Sequence, residues 1–399
     1  MQQRVLYIMP WFCRPSAMNK HCKIFLSATK ELGIEQIVAG IRGEDSFVGE
    51  HRFVRYADKS NKYVAAAVRR VFPDIVNQPD VYNWGTRKSA VKTIEKAIDM
   101  SEVDIIHSVS FPCSSHLMGY DLAIKYNKPW IAQFYDPWSD NPYRIFKTLK
   151  YRQKDLEMER FVAEHADAII HTNNVIKDVW AERYGAGVEK KMTVMPMSYE
   201  LSLYDRAKEI RLKELGEKIV ISYIGKLFFD RNLKDVVGAL KILREKGVLF
   251  EKKLEFRIIG EIHQDDLNRI KEAGLDDVFE IVGYLPQSEL EKYYLESDAF
   301  LVLDSPQAQN VFFPSKLLDY FIYKRLIIGI TPTKGVTHDL LVDSNNVVFE
   351  NGDVSGLAEF LEKYVSDNVF FSEFDGNYYE KFSPEALRKA YNDVLKSIK

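Results

Sequence analysis

A chain of 399 residues with 46% hydrophobic side chains is too long for one ordinary core and apolar enough to build two. Its 55 basic and 58 acidic residues leave a net charge of −3, which excludes the basic field of a general nucleic-acid binder and confines any attraction for anions to local clusters. The three cysteines, Cys13, Cys22 and Cys113, have neither disulfide-framework nor metal-ligand spacing and fit free thiols in a reducing cytosol.

The opening MQQRVLYIMPWF has a short apolar run and no small-residue cleavage site, so residues 4–9 read as a buried strand rather than a signal peptide. Further apolar runs at 36–39, 104–108, 130–134, 168–172 and 192–195 alternate with amphipathic stretches, the pattern of a parallel sheet covered by helices. Residues 196–218 break the rhythm and read as a connector carrying a polar helix. The alternation restarts at 219–224, 255–259, 279–282, 299–303, 326–329 and 346–349. No run approaches the ~18 apolar residues of a membrane span. The expected fold is α/β, two doubly wound halves with a ligand cleft between them. FSPEALRKAYNDVLKSIK, with a Ser383-Pro384 helix start, is expected to pack back across that cleft. The expected domains are 1–200 and 201–376, with the returning helix in 377–399.

Four stretches carry candidate chemistry. KYVAAAVRRVF (62–72) and NPYRIFKTLKYRQK (141–154) interleave basic with apolar residues. In the second, Arg144, Lys147, Lys150, Arg152 and Lys154 alternate with Tyr143, Ile145, Phe146, Leu149 and Tyr151 on an expected helix. Such a face suits an anionic membrane surface, or is an ordinary solvated one. In VISYIGKLFFDRNLKDVVGALKIL a strand ends at Gly225, Lys226 and Arg231 follow in the loop, and a helix begins near Asn232. Two cations at a strand's C-terminal end beside a helix start form an anion trap; the alternative is surface charge. In NVFFPSKLLDYFIYKRLIIG, Pro314 and Ser315 start a helix whose Leu317, Leu318, Phe321 and Ile322 face a core, while Lys316, Asp319 and Tyr323 share another side. The macrodipole disfavours a lysine in a first turn, and a bound phosphate removes that penalty. Otherwise Lys316 is solvated and Asp319 is its intrahelical partner.

The run 219–243 resembles the phosphate loop of family 4 nucleotide-sugar glycosyltransferases, which have the GT-B fold and show Gly-Arg, four residues, then Lys; here the cations are exchanged as Lys226 and Arg231. FRIIGEI, with Gly260, is similar to that family's next strand and glycine. VGYLPQSELEKYYLESDAFLVLDS, with Tyr284 and Leu285, resembles its nucleotide-base loop and the elements after it. NVFFPSKLLDYFIYKRLIIG falls where the family places a Glu, seven residues and a Glu. The resemblance covers essentially the whole second half. It implies a nucleotide-sugar site at Gly225, Lys226, Arg231, Gly260, Tyr284, Leu285, Ser315, Lys316 and Asp319, with Asp319 at the acidic position that holds the ribose hydroxyls. The first acidic position, which contacts the donor sugar in the family, falls on Val311, so Gln309 and Asn310 are the expected sugar contacts.

In the first half, DIIHSVSFPCSSHLMGYDLAIKYNKPWIAQFYDPWSDNPY resembles bacterial surface-polysaccharide glycosyltransferases, and FPDIVNQPDVYNW fits the same group. Asp136, ending a strand on the cleft side, is the expected receiver of an acceptor hydroxyl, or a turn aspartate before Pro137. His107 ranks low as a contact, and His116 is expected to be structural. MPWFCRPSAMNK takes the place of the family's glycine-rich loop without a glycine, so Arg14, Ser16 or Asn19 is expected to reach the ligand, or the loop simply packs. The resemblance implies a cytoplasmic transferase, peripheral on the membrane, that moves a sugar from a nucleotide-sugar donor, its substrate rather than a cofactor, to a saccharide acceptor with retention of configuration. The membrane reading of 141–154 makes that acceptor lipid-linked. Asp136, Lys226 and Arg231 are the expected catalytic residues. No Asp-any-Asp motif or histidine cluster points to a metal, so cations are expected to carry the leaving diphosphate's charge. A nucleotide-sugar 2-epimerase of the same fold, or a non-catalytic nucleotide-binding subunit, are the alternatives.

Overall fold

The computed structural model describes residues 2–13, 17–41, 51–58, 67, 70–71, 86–213, 218–227, 230–248, 254–366 and 374–398. FPDIVNQPDVYNW, most of KYVAAAVRRVF, and Arg14 and Ser16 lie outside them. The chain divides into two compact units, Met1–Leu201 with Phe382–Lys399, and Ser202–Lys381. The chain returns to the first unit at Phe382.

The first unit is built on seven strands: β1 Arg4–Ile8, β2 Glu35–Ile41, β3 Arg52–Tyr56, β4 Ile105–Ser110, β5 Trp130–Phe134, β6 Ala168–His171 and β7 Met192–Val194. They form one parallel sheet in the order β3-β2-β1-β4-β5-β6-β7. Val5 of β1 is paired with Gln36 on one side and Ile105 on the other, so the strand order reverses between β1 and β4. β4 and β5 are buried along their whole length, as strands covered on both faces must be. On one face Val5, Tyr7, Ile105, Val109, Ile131 and Ile170 pack with Phe25 and Leu26 of helix Ala17–Lys30 and with Leu387, Tyr391, Val394 and Leu395 of the C-terminal helix Pro384–Ser397. That last helix starts as its sequence suggests, with Ser383 Oγ accepting the Ala386 N–H at 3.1 Å and Pro384 in the first turn.

The second unit repeats the plan with β8 Ile219–Ile224, β9 Leu254–Ile259, β10 Phe279–Gly283, β11 Ala299–Leu303, β12 Leu326–Thr331 and β13 Val347–Glu350. These are parallel in the order β10-β9-β8-β11-β12-β13, so the order reverses between β8 and β11. Its core gathers Ile221, Tyr223, Ile258, Leu301 and Ile328 under Leu240 of helix Lys234–Glu245 and Leu361 of helix Val354–Ser366.

Every expected strand is present, and β3 is an addition. Its sequence, RFVRY, puts Arg52 and Arg55 outward on the last strand of the sheet, and charged side chains at such an edge break the apolar run that marks the inner strands. The connector carries a short helix, Leu201–Ala207. The expected helix over 141–154 is corrected: residues 141–148 are irregular, with a turn at 142–143 and a bend at 147–148, and the helix runs Leu149–His165. The turn is imposed by side chains described below.

Candidate functional site

In the second unit the sheet reverses beside β8, and glycines follow its end and that of β9. Gly225 (φ +139°) and Gly260 (φ +135°) hold a backbone that L side chains avoid. Gly225 N–H donates to the Ile259 carbonyl and Gly260 N–H to the Gly283 carbonyl, both at 2.8 Å. A Cβ on Gly260 would stand 2.0 Å from the Gly225 carbonyl oxygen, so the two strand ends make a floor of bare backbone.

Lys316 lies over this floor. A Cβ on Gly225 would come within 3.2 Å of its Nζ, which sits 3.7 Å from the centre of the Tyr223 ring. The stem is half-buried, but Nζ is fully shielded and has no hydrogen-bond partner among the described residues. Burial pulls its pKa down to about 7; the nearby Arg231 pushes the same way and Asp304 opposes. Arg231 Nη2 lies 3.9 Å from Asp304 Oδ1, and Asp304 Oδ2 accepts the Thr331 hydroxyl at 2.9 Å. Two basic side chains, one buried carboxylate and an aromatic face therefore converge where β8 and β11 end.

This differs from the expected pairing of Lys226 with Arg231. Lys226 turns outward and pairs with Glu261, both more than half exposed. Glu261, one residue past Gly260, offers a full charge there, whereas Lys316 already fills the space over Gly225. The helix Lys316–Tyr323 also lacks the polar side read from its sequence: Leu317, Leu318, Tyr320, Phe321, Ile322 and Tyr323 are all buried. Asp319 accepts from the Tyr294 hydroxyl at 3.4 Å, and the Tyr294 ring stacks on Tyr323 at 4.5 Å. Ser315 flanks the helix start, exposed and without a side-chain capping bond. Tyr284 is 77% exposed after β10, with Leu285 half-buried beside it. Gln309 is half-buried.

Asn310, an expected sugar contact, is tied into the surrounding scaffold. Its amide donates to Thr337 Oγ1 at 3.2 Å and accepts from the Phe312 N–H at 2.8 Å, and its backbone bridges to Gly335, where a Cβ would stand 2.2 Å from the Asn310 carbonyl. The residue is buried, leaving no exposed group for a hydroxyl.

In the first unit Asp136 follows β5. Among the described residues its carboxylate has no hydrogen bond or ion pair, and burial raises its pKa to about 6. The chain beyond it is pinned by two buried acids that the sequence reading missed. Trp138 Nε1 donates to Asp155 at 3.0 Å, and Arg144 meets the same carboxylate at 2.5 Å. The Ser139 N–H and hydroxyl donate to Glu159 at 2.6 and 2.8 Å, and Arg183 bridges Glu159, at 2.9 Å, to Asp140. Burial raises the pKa of both acids. Their i, i+4 spacing on one helix face was the available signal. These bonds hold residues 138–144 in a turn and consume Arg144. Lys147, Lys150, Arg152 and Lys154 stay exposed, next to Ile145 and Leu149, which are 74% and 85% exposed.

His107 and His116 are core residues. His107 Nδ1 meets the Tyr391 hydroxyl at 3.0 Å, His116 Nδ1 meets Ser108 Oγ at 2.9 Å, and burial lowers both pKa values to about 3. Asn19 is buried, its amide turned onto the Phe12 carbonyl. Cys13, Cys22 and Cys113 are buried and form no disulfide among the described residues. Among the described residues no group of three His, Cys, Asp or Glu is close enough to hold a metal ion, and no helix is long and apolar enough to cross a membrane.

Comparison with known proteins bears on this geometry. The chain is 27% identical over 114 residues to the amylovoran biosynthesis glycosyltransferase AmsK of Erwinia amylovora, a match spanning 28% of this chain and 25% of that one. The match thus spans about a quarter of that relative's length. Among solved structures, Anabaena Alr3699/HepE in complex with UDP superposes with a TM-score of 0.67 at 12% identity over the whole of both chains. The lipopolysaccharide outer core galactosyltransferase WaaB superposes with a TM-score of 0.68 at 14% identity over 99% of each. These likenesses establish the GT-B fold. Residues 205–395, just under half of the chain, match the model of the glycosyl transferases group 1, so the second unit is similar to that family.

Proposed function

We propose that the protein is a glycosyltransferase that moves a sugar from a nucleotide-sugar donor, held by the second unit, to a saccharide acceptor in surface-polysaccharide synthesis. The observation that carries this reading is the Lys316 amine, buried over Gly225 beside Arg231 with no hydrogen-bond partner among the described residues. A buried polar group without a partner is costly, and a diphosphate supplies the missing acceptor and an opposite charge. Support comes from the UDP and UDP-glucose bound to Alr3699/HepE, and from AmsK's place in amylovoran biosynthesis. Asp319 would hold the ribose and the loop of Tyr284 and Leu285 the base. Arg231 and Lys316 would carry the charge that develops on the leaving diphosphate. Asp136 would receive an acceptor hydroxyl; above pH about 6 it is ionised and able to accept the hydrogen bond. Retention of configuration, with a donor phosphate oxygen taking the acceptor's proton, follows from the family 4 resemblance. The basic and apolar side chains at 145–154 would bring the enzyme to an anionic membrane and a lipid-linked acceptor.

Incubation with a panel of nucleotide sugars, with and without membrane extract, tests this. Release of nucleoside diphosphate that depends on the extract is expected. Isomerisation of the sugar without any acceptor would instead identify a 2-epimerase. Binding without turnover would identify a non-catalytic subunit, which the buried Val311 at the donor-sugar position favours.

A further inference from the structure

The Lys316 side chain is enclosed by three elements, and each presents one titratable or charged group to it. Tyr223 of β8 lies beneath Nζ with its ring face, its own hydroxyl donating to the Lys226 carbonyl at 3.1 Å. Arg231 approaches from the loop before helix Lys234–Glu245 and Asp304 from the end of β11, and these two also face each other. On its own helix Asp319 is turned to Tyr294. The charges of Arg231 and Asp304 largely offset one another, so a proton on Lys316 would leave one net positive charge with nothing among the described residues to accept its hydrogen bonds. A buried charge in that position gives up its proton.

We propose that Lys316 couples phosphate binding to proton uptake: in the empty site its amine is neutral, and a nucleoside diphosphate enters together with one solvent proton that binds Nζ. The proposal rests on the donor-site reading above and adds how that site is charged. A phosphate oxygen placed over Gly225 meets Nζ, gives it an acceptor and an opposite charge, and makes the ammonium the favoured form. The lowered pKa of Lys316, about 7, agrees with the geometry.

Titration calorimetry with UDP at pH 8, in two buffers of different ionisation enthalpy, reads the coupling directly, because the terminal phosphate of free UDP is already ionised there. With a free-site pKa of about 7, uptake of about 0.9 proton per UDP is expected, and affinity about eightfold weaker at pH 8.5 than at pH 7.5. Lys316→Arg, always charged, should keep binding at pH 8 but abolish uptake; Lys316→Met should abolish uptake and weaken binding. A purely packing role for Lys316 would leave proton uptake unchanged in both variants. UDP binding without uptake in the wild type, or uptake that survives Lys316→Arg, overturns the coupling alone. No UDP heat from folded protein in either buffer overturns the donor site, and the coupling with it.

Discussion

Replacing Gly260 with alanine would put a methyl carbon 2.0 Å from the Gly225 carbonyl oxygen, at a backbone φ of +135°. The obstruction is backbone, so no side chain can swing aside. A residue held in such a φ region costs about 1 to 3 kcal/mol, and forcing an extra carbon into a packed site about 1 to 3 more. Gly274 is the internal control: its φ is +63° and a Cβ there meets nothing within 4 Å, so Gly274→Ala bears only the backbone term. The difference between the two combines the contact with Gly225 and the steeper backbone cost at φ +135°, about 1 to 3 kcal/mol or more. For a unit of this size that is a gap of about 2 to 12 °C in melting temperature. Calorimetric melts of both variants measure it, and UDP titration of the folded Gly260→Ala protein should show weakened binding, because Gly225 and the Lys316 amine above it must move. Coincident melts for the two variants would refute the crowded-backbone account of the strand ends.

Arg231→Ala should weaken UDP binding by about 1.5 to 3 kcal/mol, roughly 10- to 150-fold, while Lys226→Ala, whose partner is the exposed Glu261, should change it by less than about threefold; equal losses in calorimetry would restore Lys226 to the site. Asp136→Asn should remove transfer without altering UDP affinity, and wild-type transfer should fall as pH drops through about 6. Because the folded pKa of Asp136 is raised, its charge costs stability above that pH, so Asp136→Asn should be more stable by about 1 to 3 kcal/mol at pH 7 and lose that advantage near pH 4, a trend denaturant melts would reveal. His171 is buried, with a pKa lowered from 6.5 to about 3, so it destabilises the first unit as pH falls below 6.5; the stability of His171→Phe relative to wild type should rise by about 1.4 kcal/mol per pH unit there. Vesicle sedimentation should require anionic lipid, weaken with salt, and be lost on changing Lys147, Lys150 and Arg152 to Gln, with UDP affinity unchanged; wild-type protein indifferent to anionic vesicles at low salt would remove the membrane reading.

The inner strands were legible because a strand covered on both faces is a largely apolar run, unbroken in AFLVL, while the edge strand RFVRY was not, because its arginines face water. The presence of cations after β8 could be read from composition and spacing. Which of them converge could not, since Lys316 reaches Gly225 from 91 residues further along the chain and Glu261 draws Lys226 off from the neighbouring strand end. Asn310 looked available because its partners Thr337 and Gly335 lie beyond the helix that follows. The acids Asp155 and Glu159 were hidden by the lysines and arginines around them, which read as a solvated face until the structure placed Trp138, Ser139 and Arg183 over it.

The last helix gives the molecule an unusual order of assembly on the ribosome. The second unit is one uninterrupted stretch, Ser202–Lys381, and is fully synthesised while the first unit still lacks Leu387, Tyr391, Val394 and Leu395 from its core. The N-terminal sheet must therefore wait, with the face around Phe25 and Tyr7 uncovered, until helix Pro384–Ser397 clears the exit tunnel, whereas the unit made later can close first. Nascent chains stalled before Phe382 should present that apolar face to chaperones, and a premature stop that removes only the terminal helix should damage the half of the protein made earliest.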